Sequence, residues 1–169
     1  LGSMRFEDVT LGSGTDDTGW AQAVSHTDFD RDGLQDLIVA NDFGCNALLR
    51  NTGDGRFENV APQLGVTAAY HSMNVGITDL NRDGLSDLIV NNDSQNAHFF
   101  HMADGSWKRA PFALPEKGCL VNSAGIDRGL RFVDLDADGD EDLVFSNERR
   151  NWVWLFEGPE KGWSRKVRS

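Results

Sequence analysis

A chain of 169 residues is long enough to bury a sizeable core as one domain. Its formal net charge of −11 argues against a nucleic-acid binder, which normally carries a basic face. No apolar run approaches the length of a membrane span, and the two cysteines, Cys45 and Cys119, leave open one disulfide or two free thiols.

Leu1-Gly2-Ser3-Met4 reads as a cloning remnant, so a native N-terminus is expected to lie upstream. Phe6-Glu-Asp-Val9 then matches Phe57-Glu-Asn-Val60, and Trp107-Lys-Arg-Ala110 and Trp163-Ser-Arg-Lys166 take the same place further on. An interval of about fifty residues signals an array or propeller. The chain is therefore read as one domain over 5–169. It holds repeats at about 6–56, 57–106 and 107–162, plus the start of a fourth outer strand at Trp163.

Each repeat contains short strand-like runs. The first leads into an acidic loop: Ala21–His26, Asn74–Thr78 and Gly129–Val133. The second leaves it: Asp36–Ala40, Asp87–Asn91 and Asp142–Ser146. Their Leu-Ile-Val, Leu-Ile-Val and Leu-Val-Phe triplets are continuous, as in a strand buried on both faces. A third run covers Ala47–Arg50, Ala97–His101 and Trp152–Phe156. Glycine turns such as Asp54-Gly55 and Asp104-Gly105 follow, and the Phe/Trp-led run comes last. Four antiparallel strands in about fifty residues make one β-propeller blade, so the fold class is all-β. The sequence offers no amphipathic helix of useful length.

The acidic loop has the same nine-residue form three times. Its side-chain oxygens stand at positions 1, 3, 5 and 9: Asp28, Asp30, Asp32 and Asp36; Asp79, Asn81, Asp83 and Asp87; Asp134, Asp136, Asp138 and Asp142. Calcium takes six to eight oxygens, and alternate residues of a tight loop converge on one ion. Position 7, at Leu34, Leu85 and Asp140, would add a backbone carbonyl. Glycine at position 6 permits the left-handed turn where a Cβ would clash. Carboxylates at the ligand positions are as many as the whole charge excess of −11, and about three Ca²⁺ ions would bring the net to about −5. Asn81 keeps an oxygen but loses a charge, so the second site is expected to be the weakest. An EF-hand fits badly, because its Glu at loop position 12 is replaced by Val39, Val90 and Phe145.

This succession of strand, DxDxDGxxD loop, Leu-Ile-Val strand and hairpin resembles the FG-GAP, or VCBS, repeats of the integrin α-subunit propeller. The tail Asn46-Ala-Leu-Leu-Arg-Asn-Thr-Gly-Asp-Gly-Arg-Phe57 looks like repeats of large secreted bacterial proteins and of relatives with ASPIC/UnbV modules. The resemblance covers about Arg5 to Lys166. It implies Ca²⁺ in the acidic loops and six to eight blades in a closed ring. Three blades are too few for such a ring. The resemblance therefore leaves two readings: a segment of a longer propeller, or a homodimer forming six blades. The faces left open are expected to carry residues such as Phe99, Trp152 and Trp154.

A second repeated feature follows each Leu-Ile-Val strand: Asn41-Asp42 with Asn46, Asn92-Asp93 with Asn96, and Asn147-Glu148 with Asn151. These turns lie one strand away from the acidic loops, at the opposite end of the blade. Asn and Asp there satisfy turn backbone or form a binding surface. Candidate partner-binding residues at that end are Trp20, Tyr70, His71, Arg149 and Arg150. Trp107, Trp152, Trp154 and Trp163 read as blade core, and His98 and His101 point to opposite faces of one strand. No catalytic constellation stands out. The leading expectation is a calcium-binding, non-catalytic scaffold for a protein or glycan partner in an extracellular, secreted or periplasmic setting. The alternatives are a polysaccharide lyase or hydrolase, and a structural spacer.

Overall fold

A computed structural model describes residues 4–67, 72–92, 97–115 and 129–168. It is all-β: three four-stranded antiparallel sheets, each a propeller-type blade. The first sheet is β1 (Ala21–Thr27), β2 (Asp36–Asn41), β3 (Ala47–Asn51) and β4 (Phe57–Asn59). After the single-turn helix α1 (Ala61–Leu64) comes the second: β5 (Ser72–Thr78), β6 (Asp87–Asn92), β7 (Ala97–His101) and β8 (Trp107–Arg109). The third is β9 (Leu130–Val133), β10 (Asp142–Ser146), β11 (Asn151–Phe156) and β12 (Trp163–Arg168). Strands pair in chain order within each sheet, so every connection is a hairpin. Among the described residues no helix is long and apolar enough to cross a membrane.

The β2, β6 and β10 triplets are apolar on both faces because two different seams need them. Leu88 and Val90 of β6 pack toward the first sheet, with Ile38, Ala40 and Leu48. Ile89 points the other way and joins Leu143, Phe145 and Trp152 of the third sheet. Residue parity along a strand thus separates a face toward the preceding blade from a face toward the following one.

The aromatic residues fill these seams. Trp163 meets His98, Phe112, Phe132 and Phe156 with ring centroids 5.3–5.7 Å apart. Trp152 stacks on Phe145 at 4.7 Å, and Trp107 on His101 at 4.5 Å. His98 and His101 do face opposite sides: His98 lies against Phe112 and Trp163, whereas His101 lies against Phe29 and Trp107.

Two expectations are corrected. Phe6–Val9 forms no strand, and Phe6 is 92% exposed. A strand needs a neighbour to pair with, and none of the described strands pairs with Phe6–Val9. Trp163–Arg168 is the outer strand of the third sheet, paired to β11, so three loops go with three outer strands. The second correction concerns the open faces. Phe99 and Trp152 are 5% and 4% exposed because they line the two internal seams, and Trp154 is half-buried beside Lys166. Apolar residues left open on the outer sheets include Val24 on the first and Val133 and Val167 on the third, with Leu135 in the third acidic loop.

Candidate metal centre

Each acidic loop joins the first two strands of its sheet, and its backbone is tied by its own acidic side chains. Position 5 accepts the N–H of position 7: Leu34 to Asp32 and Leu85 to Asp83, both at 2.8 Å, and Asp140 to Asp138 at 3.0 Å. Position 1 accepts the N–H of the position-6 glycine, Gly33 to Asp28 and Gly84 to Asp79 at 2.9 Å. Those glycines have φ of 89° and 81°, and Gly139 has 96°, conformations that a Cβ would strain.

Position 9 anchors the loop. Asp36, Asp87 and Asp142 are fully buried, each at 0% exposure. One oxygen accepts the N–H of position 2 and the other an N–H from the third strand. For Asp87 these are Leu80 at 2.9 Å and His101 at 2.9 Å. Asp36 takes Phe29 and Asn51, and Asp142 takes Leu135 and Phe156. A carboxylate has about four lone-pair sites, so each oxygen keeps capacity for a cation.

The remaining oxygens converge. Those of Asp28, Asp30 and Asp36 lie within 4.8 Å of one another, as do those of Asp134, Asp136 and Asp138. In the second loop Asn81 takes the third place and exchanges hydrogen bonds with Asp83. Oδ1 of Asp79 and Oδ1 of Asp134 are buried atoms without a hydrogen-bond partner. Burial pushes the Asp87 carboxyl up to about 7, and the charges of Asp83 and Asp79 add to the shift. Burial likewise raises Asp36 and Asp140. Hard oxygen donors, like-charge crowding and two orphaned carboxylate oxygens fit a hard divalent cation of the Ca²⁺ class. The oxygens of positions 1, 3, 5 and 9 would hold it, with the carbonyls of Leu34, Leu85 and Asp140.

Sequence reasoning missed position 4. Arg31, Arg82 and Ala137 have φ of 62°, 54° and 60°, and they are the only non-glycine residues among those described with positive φ. Left-handed backbone costs a residue with a Cβ about 1–2 kcal/mol. Arg31 donates to the carbonyl of Gly84 in the next loop. Arg82 donates to the carbonyl of Asp138 at 3.1 Å and pairs with Asp134 at 3.4 Å. Arg165 of β12 pairs with Asp136 at 3.1 Å. The arginine at position 4 of two loops was the available signal.

At the opposite end of the blade the repeated Asn residues serve the turns. Asn46 Oδ1 accepts the Asn41 N–H at 2.9 Å, and Asn147 Oδ1 accepts the N–H groups of Arg149 and Arg150. Trp20 is 67% exposed and stands edge-on to Phe43 at 5.5 Å. Arg149 and Arg150 are exposed, and Cys45 is exposed and free. Tyr70, His71, Asp93, Asn96 and Cys119 lie outside the described residues.

Comparison with known proteins agrees with this architecture. The family model described as FG-GAP-like repeat matches residues 28–90 and again 79–145, each match running from one acidic loop into the next Leu-Ile-Val-type strand. Cartilage acidic protein 1 of Xenopus tropicalis is 40% identical over 114 residues, covering 66% of this chain and 17% of that protein. The mouse protein of the same name is 29% identical over 149 residues, covering 86% of this chain and 22% of its own. The human one is 30% identical over 92 residues, 54% of this chain and 14% of that protein. The chain thus spans under a quarter of the length of these relatives. With the family match extending over most of the chain, on the loops and strands that build the sheets, this protein belongs to the FG-GAP-like repeat family.

Proposed function

We propose that the chain is a calcium-stabilised, non-catalytic repeat scaffold that presents a surface to a protein or glycan partner. The observation that carries the metal reading is Asp134. Its Oδ1 is buried and unpartnered, in a loop where Asp134, Asp136 and Asp138 bring oxygens within 4.8 Å. Three ions, one per loop, would offset the burial, and with it the charges of Asp83 and Asp79, that raise Asp87.

The partner surface rests on Trp20 and the turns beside it, since loops on a rigid sheet scaffold commonly carry binding. Trp20 and Phe43 form an exposed aromatic pair of the kind that stacks on a sugar or anchors a protein. An extracellular setting is supported by calcium chemistry, because weak loop sites fill where calcium is millimolar. The name of the relatives, cartilage acidic protein 1, points the same way. Self-association, or continuation into further blades of a longer chain, is supported by the open apolar residues Val24, Val133 and Leu135.

Melting in calcium and in EGTA tests the metal reading. Ligand binding to the native state raises stability by mass action, so EGTA is expected to lower the melting temperature markedly. An unchanged melting temperature would refute it. A glycan array, combined with a turnover screen on acidic polysaccharides, tests the scaffold reading. Binding lost in Trp20→Ala supports it, and turnover abolished by Arg149→Ala would replace it with an enzyme.

A further inference from the structure

We propose that Arg82 is a positioning residue that couples occupancy of the second calcium loop to that of the third, as Arg31 does between the first and second. The inference rests on the calcium reading above. Arg82 stands between two ligand positions of its own loop, Asn81 and Asp83, in a left-handed conformation with φ of 54°. Its guanidinium leaves that loop and lands on the next one. There it holds Oδ2 of Asp134 and the carbonyl of Asp138, and a Cβ added at Gly139 would fall on its atoms. Glycine at position 6 of the third loop therefore does two things: it makes the turn and it makes room for the arginine of its neighbour.

The contact falls on the carboxylate whose other oxygen, Oδ1, is buried and unpartnered. With Oδ2 held by Arg82, Oδ1 is left without a partner and available to an ion. An ion in the second loop pins Asn81 and Asp83, and so fixes the root of the Arg82 side chain. The third loop then binds its ion with less ordering left to do, which is positive coupling between neighbouring sites. The chain of contacts has a direction. Arg31 reaches the Gly84 carbonyl, Arg82 reaches Asp134, and position 4 of the third loop is Ala137, which cannot reach any further. The left-handed conformation is common to all three loops, Ala137 included, so it belongs to the turn, and the arginines of the first two loops use the direction it gives them.

Full-length chain labelled with ¹⁵N-glycine gives each loop its own reporter in Gly33, Gly84 and Gly139, to be titrated with calcium chloride. Asp79→Asn weakens the second loop. In the wild-type background it is expected to shift the Gly139 curve to higher calcium by about fivefold or more. In the Arg82→Ala background the same change is expected to give no shift of the Gly139 curve to higher calcium. Ion–ion repulsion is present in both backgrounds and cancels in the comparison. Arg82→Lys keeps the charge without the planar fork, and is expected to lose the coupling as well. An equal shift of Gly139 in both backgrounds, or no shift in either, overturns the inference. Glycine amides that ignore calcium in the unaltered chain overturn the calcium reading itself, whereas three responsive but independent loops overturn only the coupling.

Discussion

Leu80 and Leu135 occupy the same second position of successive acidic loops, yet Leu80 is 0% exposed and Leu135 is 46% exposed. The difference comes from what lies beyond them. Leu80 inserts into the seam with the third sheet, beside Leu130 and Leu143. Leu135 points where a following blade would stand. The other end of the array repeats the relationship: Val75 pairs with Val90 and is 8% exposed, whereas Val24 pairs with Val39 in the same way and is 64% exposed.

These two faces are the basis of the first prediction. Leu80→Ala is expected to cost about 3 kcal/mol, as truncation of a filled core site does. Leu135→Glu is expected to change monomer stability by less than about 0.5 kcal/mol, because the site is open. If the two open faces meet in a homodimer of six blades, light scattering in calcium gives twice the chain mass of 18.7 kDa, and Leu135→Glu returns it to one. A strictly single-chain mass at high concentration, unaffected by Leu135→Glu, would rule the homodimer out.

Position 9 separates structural from metal-binding roles. Asp142→Ala leaves the N–H groups of Leu135 and Phe156 without their acceptor. It is expected to cost about 3 kcal/mol or more even in EGTA. Asp30→Asn removes a ligand charge at an exposed position and is expected to leave EGTA stability unchanged while weakening calcium binding. Denaturant unfolding with and without calcium distinguishes the two.

The Asp87 carboxyl gives a pH signature. Burial and its neighbours Asp83 and Asp79 raise it from 3.8 to about 7. Between those values the unfolded chain has released this proton while the folded chain retains it. Its contribution to metal-free stability is therefore greatest below pH 3.8 and falls as pH rises to about 7. Calcium, by favouring the ionised form, is expected to cancel that decline, and Asp87→Asn to remove it. Melting curves across this range, in EGTA and in calcium, provide the check.

His98 works in the opposite sense. It is 1% exposed between Phe112 and Trp163, and its ring nitrogens lack hydrogen-bond partners. Burial lowers it from 6.5 to about 4, although the nearby Phe112 backbone favours the charged form somewhat. Here the unfolded chain takes up the proton first, so stability is fully present above pH 6.5 and is lost as pH falls toward about 4. His98→Leu is expected to flatten the acid limb of the stability profile below pH 6.5. A limb that persists unchanged in His98→Leu would assign it to other groups.

The blades were legible in the sequence because their signals are local. Asp spacing, the position-6 glycine and the apolar triplets each specify one turn or one strand, and the strands fall within two residues of where those signals put them. Phe6 was misread because residue type does not report whether a pairing partner exists. Phe99 and Trp152 were placed on open faces because parity within a strand tells two faces apart without saying which one the next blade covers. The reach of Arg82 to Asp134 was hidden for a related reason. It depends on a left-handed residue at position 4 and on the distance between two blades, neither of which a residue type records.

Calcium in the three loops is open to direct observation in crystals grown in millimolar calcium chloride, with anomalous differences recorded at a long wavelength. Three peaks per chain are expected, among Asp28–Asp36, Asp79–Asp87 and Asp134–Asp142. The first is expected to fill at the lowest calcium, because it has four carboxylates and, among the described residues, no basic side chain paired to them, whereas Asp134 and Asp136 are held by Arg82 and Arg165. Well-ordered loops with no anomalous peak in any of the three would contradict the calcium reading.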